Sequence, residues 1–337
     1  MTGLFSRTRD TEPLLAIRDL DVRYAIRRGV FGPTEELRAV AGVSFELRAG
    51  ETLGIVGESG SGKSTMVRAI LRLIRPSAGR VSWLGQSLAE LPSSQLRALR
   101  REMQIVFQDP LASLDPRMTI LDSVSEPLAI FRPELSAAER TREVRAMLER
   151  VGMSGEIVNR YPHQFSGGQC QRIAIARSLI LTPSLLICDE PVSALDVSIQ
   201  AQIVNLLMRL QREMNLSMLF ISHNLAVVRH VSQRVLVLYL GRVMELAPRE
   251  ELYTRPRHPY TRALLESIPA PDPAREREPQ RASLGGEVPS PLTPPTGCVF
   301  RTRCPWTQPR CGNQVPPLES VSVNHQVACV RWREIAP

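Results

Sequence analysis

The sequence predicts an α/β protein built on a parallel β-sheet, and three observations predict it. Thr52 to Val56 (TLGIV) is a short apolar strand that runs into glycines and then into a helical pattern. Leu185 to Cys188 and Met218 to Ile221 are continuous apolar runs, as expected of strands buried on both faces of a parallel sheet. Between those runs, Ile199, Ile203, Leu206, Leu207, Leu210 and Met214 fall at helical spacing, which makes a strand–crossover helix–strand unit. With 337 residues, 43% of them hydrophobic, the chain holds material for roughly two domains.

Taken in order, residues 1–11 read as an N-terminal tail without the apolar stretch of a secretory signal. Leu15 to Tyr24 and Val40 to Leu47 alternate like half-buried strands, with a loop expected over Arg27 to Glu36. After the strand at Thr52–Val56, a helix is expected to bury Val67, Ile70, Leu71 and Ile74 on one face. Residues 93–183 are mainly helical in pattern, with an apolar strand expected at Ile105 to Phe107. Of 27 prolines, 11 lie in residues 1–240 and 16 in the last 97, so the composition shifts near Gly241. A main domain over 12–250 and a loop-rich, Pro- and Cys-rich C-terminal appendage over 251–337 follow, with a solvated linker at Ala270 to Pro279.

The charge balance is basic: 42 Lys and Arg against 34 Asp and Glu, a formal +8. That permits anionic partners, but the arginines are scattered and aromatics make up only 5%, which argues against nucleic acid. No apolar run approaches the roughly 18 residues a membrane helix needs. Of the 42 basic residues 41 are arginine, and Lys63 is the single lysine.

Lys63 lies in Gly57–Ser64, G-E-S-G-S-G-K-S, which fits G-x-x-x-x-G-K-[ST] between a strand and a helix. Gly57, Gly60 and Gly62 let the backbone turn N–H groups inward as an anion nest, with Glu58, Ser59 and Ser61 between them. The helix that follows adds its positive N-terminal end. Lys63 reaches the β- and γ-phosphates of a nucleotide, Ser64 offers a hydroxyl to Mg²⁺, and Thr65 supplies a second hydroxyl. The strand LLICDE ends in two carboxylates: Asp189 is placed to face Mg²⁺, and Glu190 to polarise water for attack on the γ-phosphate. His223 and Gln108 each follow an apolar strand, and spacing alone leaves both open between a structural and a catalytic role.

Phe165 to Gln169 (F-S-G-G-Q) opens a helix bearing Ile173, Ala176 and Ile180 on one face. Together with the phosphate loop it resembles the signature of ATP-binding-cassette (ABC) proteins. The resemblance implies a P-loop NTPase core with an ABC β-subdomain and a helical signature subdomain over roughly 93–183. It also implies that Ser166, Gly167, Gly168 and Gln169 close over ATP held by a second cassette. By the same resemblance Tyr24 stacks on adenine, Gln108 is the Q-loop residue contacting Mg²⁺ and the attacking water, Ser193 to Asp196 form the D-loop, and His223 is the switch histidine. Two positions depart from the usual pattern: Phe165 replaces leucine, and Cys170 stands where a basic or polar residue is commoner.

Arg257 to Leu265 (RHPYTRALL), Gly286 to Leu292 and Pro294 to Pro305 are similar to the C-terminal region of oligopeptide/dipeptide importer ATPases. This resemblance implies a peptide-importing ATPase on the cytosolic face of the membrane. Its partners are then a second ABC ATPase subunit, two transmembrane permease subunits reached through residues 108–125, and an extracytoplasmic solute-binding protein. Importers of nickel or glutathione, and soluble ABC proteins of DNA repair or translation, are the alternatives. Cys298, Cys304, Cys311 and Cys329 are spaced C-x5-C-x6-C-x17-C. The resemblance implies a [4Fe–4S] cluster on them; reduced structural thiols and Zn²⁺ are the other readings.

Overall fold

Runs buried on both faces set the sheet, and left-handed residues such as Arg72 and Asn215 stop two of the helices beside it. The computed structural model describes residues 12–27, 34–268 and 285–335. The expected tail at 1–11, residues 28–33 of the expected first loop, and the linker at Ala270 to Pro279 lie outside the described residues.

The elements run β1 (Leu15–Arg27), β2 (Thr34–Leu47), β3 (Thr52–Val56), α1 (Lys63–Ile70), β4 (Ala78–Trp83) and β5 (Gln86–Ser87). Next come α2 (Ser93–Leu99), β6 (Met103–Val106), α3 (Pro110–Ser113), α4 (Ile120–Phe131), α5 (Ala137–Arg150) and α6 (Gly167–Leu179). Then follow β7 (Leu185–Asp189), α7 (Val197–Met214), β8 (Ser217–Ser222), α8 (Leu225–Val231), β9 (Arg234–Tyr239) and β10 (Arg242–Pro248). The chain closes with α9 (Arg249–Thr254), α10 (Pro259–Glu266), β11 (Glu319–Ser322) and β12 (His325–Val327).

Two compact units divide the chain: residues 1–46, 53–87 and 222–337 form one, and 47–52 with 88–221 the other. In the first, one sheet has the order β2-β1-β4-β5, and a second set of strands runs β11-β12-β10-β9-β3. β3 pairs β9 in parallel, whereas β10 and β12 add antiparallel. In the other unit β6, β7 and β8 pair in parallel. All five residues of β7 and all six of β8 are buried, as continuous apolar runs require. α7 buries Ile203, Leu206, Leu207 and Leu210, and Asn215 ends it at φ 51°.

Four sequence expectations shift. The loop expected over Arg27 to Glu36 is strand at both described ends, with Arg27 closing β1 and Thr34 opening β2. α1 stops at Ile70, before Ile74, because Arg72 turns left-handed at φ 55° and the Leu73 N–H returns to the Arg68 carbonyl. The strand expected at Ile105–Phe107 is β6, Met103–Val106, with Phe107 past its end and 42% exposed. β4 was not expected at all: only Val81 and Trp83 of its six residues are buried, too little alternation to read from sequence.

β12 is fastened by a buried acid–base pair. The Glu245 carboxylate accepts from the backbone N–H groups of Arg257 (2.7 Å) and His258 (3.0 Å) and pairs with His325 Nε2 at 2.8 Å. Burial acts to lower the His325 pKa, but hydrogen bonds and charge from Glu245 and Glu251 outweigh it, and the pKa is raised above 6.5. The stabilisation is therefore complete below the unfolded value and is lost as pH rises through the folded value. A thermal midpoint that falls across that window, and falls less in His325→Gln, is the expected result by calorimetry. His258 works in the opposite window: burial holds its pKa at about 4, so its contribution is lost on acidification.

Candidate active site

In the first unit the residues after β3 form the loop expected to receive phosphates. Gly60 and Gly62 lie at φ 76° and 101°. A Cβ at Gly62 would stand 2.3 Å from the Ala39 carbonyl oxygen, so backbone strain and contact both exclude a side chain there. α1 starts directly after Gly62 with no side-chain cap and no acidic residue in its first turn, so its positive end is not cancelled. Lys63 is only 5% exposed, and its Nζ donates to the carbonyls of Gly57 (2.8 Å) and Glu58 (3.0 Å). An anionic phosphate oxygen is a stronger acceptor for that ammonium than either carbonyl. Ser61 is buried, Ser64 and Thr65 are half-buried, and Ser59 is exposed. Tyr24 is half-buried on β1, and His223 is exposed beyond β8, ahead of the Asn224 that caps α8.

The other unit collects the carboxylates, the glutamine and the signature. The parallel register places Val106 beside Cys188, so the chains leaving β6 and β7 emerge at the same edge. There Gln108 Nε2 donates to Glu190 Oε2 (3.4 Å) and to Ser193 Oγ (3.3 Å). Asp189 is 8% exposed at the end of β7. Glu190 adopts φ 49°, a left-handed conformation that costs a non-glycine residue roughly 1 kcal/mol or more. Its N–H donates to the Ile221 carbonyl (3.0 Å), and its carbonyl accepts from the Ser193 hydroxyl (3.1 Å). A strained acidic residue over-determined by its neighbours is preorganised for a task.

Ser166 caps α6 in a reciprocal box: its hydroxyl accepts from the Gln169 N–H, and Gln169 Oε1 accepts from the Ser166 N–H (2.9 Å). Gly168 faces α7, where a Cβ would meet Ile199 Cγ2 at 2.5 Å. Gly167 has no such neighbour closer than 3.6 Å and stays open at the helix start. Cys170 is fully buried, so the departure from a basic or polar residue places a small apolar side chain in the core. Cys188 is likewise buried, and burial pushes its thiol pKa far up.

Residues 40–193 match the ABC transporter family, and 244–311 match the oligopeptide/dipeptide transporter C-terminal region. The chain is 54% identical over 327 residues to the oligopeptide transport ATP-binding protein OppF of Escherichia coli strain K12, covering 96% of this chain and 98% of that one. It belongs to the ABC transporter ATP-binding proteins. A putative peptide import ATP-binding protein of Brucella ovis is 52% identical over 319 residues, 95% of this chain and 98% of that one. Among solved structures, the dimeric ABC cassette MJ0796 bound to ADP and phosphate has a TM-score of 0.63 at 30% identity, over 70% of this chain and 98% of that one. The cbiO1 subunit from Clostridium perfringens has a TM-score of 0.62 at 27% identity, over 72% and 91%. The fold is thus that of an ABC ATPase cassette with mixed sheets, and the enzyme is an ABC-type ATPase that binds ATP.

The cysteine expectation fares differently. Cys298, Cys304, Cys311 and Cys329 line one cavity beside His258 and Phe300. Its free space, about 20 Å³, has room for one water. Among the described residues, however, no group of three or more His, Cys, Asp or Glu side chains is arranged to hold a metal ion. The arrangement therefore lends the [4Fe–4S] cluster no support. Burial raises the thiol pKa values of Cys298, Cys304 and Cys329, to about 11 at the last two, so these two are protonated at neutral pH. Sequence reasoning also missed partners that carry no motif: the Gln108–Ser193 contact, and Arg303 and Tyr260, which reach Glu58 of the phosphate loop.

Proposed function

We propose that this ATPase energises the import of di- and oligopeptides across the cytoplasmic membrane. The observation that carries the reading is the identity to OppF along nearly the whole chain. In this reading it sits peripherally on the cytoplasmic face as one of two ABC ATPase subunits, under two transmembrane permeases fed by an extracytoplasmic solute-binding protein. Among the described residues no helix is long and apolar enough to cross a membrane, which suits a subunit that relies on such partners. Residues 12–250 form the cassette in this assignment, and 251–337 the Pro- and Cys-rich C-terminal appendage.

Each site residue then has a role. Gly57–Thr65 and Lys63 hold the phosphates, and Tyr24 the adenine. Ser64, Gln108 and Asp189 present oxygen donors of the kind Mg²⁺ prefers; when bound, the ion neutralises phosphate charge. Glu190 takes the proton from the attacking water, and His223 steadies the γ-phosphate. Ser166, Gly167, Gly168 and Gln169 cover the ATP held by the partner cassette; the solved MJ0796 cassette, a dimer with ADP and phosphate bound, supports a paired arrangement. For the four cysteines, the cluster is kept only as what the resemblance implies; a purified chain without iron and without visible absorption bands removes it.

The test is uptake of a labelled tripeptide by cells in which the gene is deleted. The intact chain is expected to restore uptake and Lys63→Ala to leave it absent. Full uptake without the chain would show that it serves another solute.

A further inference from the structure

Glu58 is the one carboxylate inside the phosphate loop, and it is held from the far end of the chain. Arg303 grips it with a two-pronged ion pair, Nη1 to Oε2 at 2.7 Å and Nη2 to Oε1 at 3.1 Å. The Glu58 N–H donates to the Tyr260 hydroxyl at 3.1 Å, and its carbonyl accepts from Lys63 Nζ at 3.0 Å. Tyr260 lies 202 positions after Glu58, and Arg303 245. The Arg303 side chain is 4% exposed and that of Glu58 23%. Arg303 Nη1 also donates to the Tyr239 hydroxyl (3.3 Å) and Nε to the Gly285 carbonyl (3.3 Å). Tyr239, Tyr260 and Phe300 form a buried cluster behind it, with ring centroids 4.7, 5.2 and 5.4 Å apart.

A carboxylate has the wrong sign for a loop that must receive phosphates, because like charges at short range repel strongly where water is scarce. A buried guanidinium on the same carboxylate cancels that charge, and its fork fixes the direction of the side chain. An exposed pair would do little. This one is desolvated on the arginine side and backed by a rigid aromatic cluster. Glu58 is thus fixed at its N–H, its carbonyl and its carboxylate, and two of those three anchors belong to residues beyond 250.

We propose that Arg303, supported by Tyr260, is a positioning residue for the phosphate loop: it neutralises and orients Glu58 so that the loop and Lys63 are set for the nucleotide's phosphates. The inference rests on reading residues 57–64 as the ATP site. The test is equilibrium binding of a fluorescent ATP analogue with Mg²⁺ to the full chain, in wild-type and Glu58→Gln backgrounds. Arg303→Met is expected to weaken binding about tenfold in the first and less than twofold in the second, because the charge to be cancelled is gone. Arg303→Lys keeps the cation but loses the fork, so about a threefold weakening is expected in the first background and none in the second. It carries the test should Arg303→Met fail to fold. Equal losses in both backgrounds would assign Arg303 a general structural role, and affinities within twofold of wild type for both variants would give it no role at the loop; either result overturns the proposal. Lys63→Ala separates the two levels: if that variant still binds, the ATP-site reading itself fails.

Discussion

Lys63→Ala is expected to weaken ATP binding by about two orders of magnitude, the upper end of what a hydrogen bond to a charged group contributes, about 3 kcal/mol. The reason is geometric. The Lys63 ammonium is buried and held between the carbonyls of Gly57 and Glu58, at the start of a helix with no acidic residue in its first turn. Those carbonyls lose the ammonium as a donor in the alanine variant, and the loop loses its lysine charge. Lys63→Arg is expected to fail nearly as badly. The guanidinium is wider than the ammonium, and the loop beside it is closed at Gly62, where even a Cβ would strike the Ala39 carbonyl. Titration with a fluorescent ATP analogue reads both variants. Circular dichroism confirms that α1 and the sheet remain folded.

Glu190→Gln separates binding from chemistry. General-base catalysis contributes about 10²–10⁴ in rate, and a fall in turnover of that size is expected. ATP affinity is expected to hold within about threefold, because the amide keeps the carboxylate's shape and its contact with the Gln108 side chain. The left-handed backbone at residue 190 persists in the variant, since the Ile221 carbonyl and the Ser193 hydroxyl hold the main chain and not the side chain. A variant that hydrolyses ATP at the wild-type rate would remove Glu190 from the role.

Much of this was legible in the sequence because the chemistry is local. A phosphate loop needs its glycines, lysine and serine within eight positions, and burial on both faces writes a strand such as β7 as an unbroken apolar run. Glu190 stood out because it directly follows an unbroken apolar strand, whereas strand position left Gln108 open and only the family resemblance gave it a role. The outcome differed where the determinant is remote or shared. β4 buries too few side chains to stand out, and α1 ends at a left-handed arginine that no residue preference announces. The Arg303–Glu58 pair joins residues 245 positions apart, and one arginine among 41 carries no mark of its task. The cysteines show the converse: an evident spacing in the sequence does not by itself arrange ligands around a metal.

The most direct test of the proposed roles of Lys63 in ATP binding and of Glu190 in hydrolysis is the nucleotide that the protein retains. Wild type and Glu190→Gln are each incubated with labelled ATP and Mg²⁺, passed rapidly through gel filtration, and their bound nucleotide is identified. Intact ATP on the variant and ADP released by wild type is the expected result. ADP formed by the variant as fast as by wild type, or no nucleotide retained by either, would contradict the account.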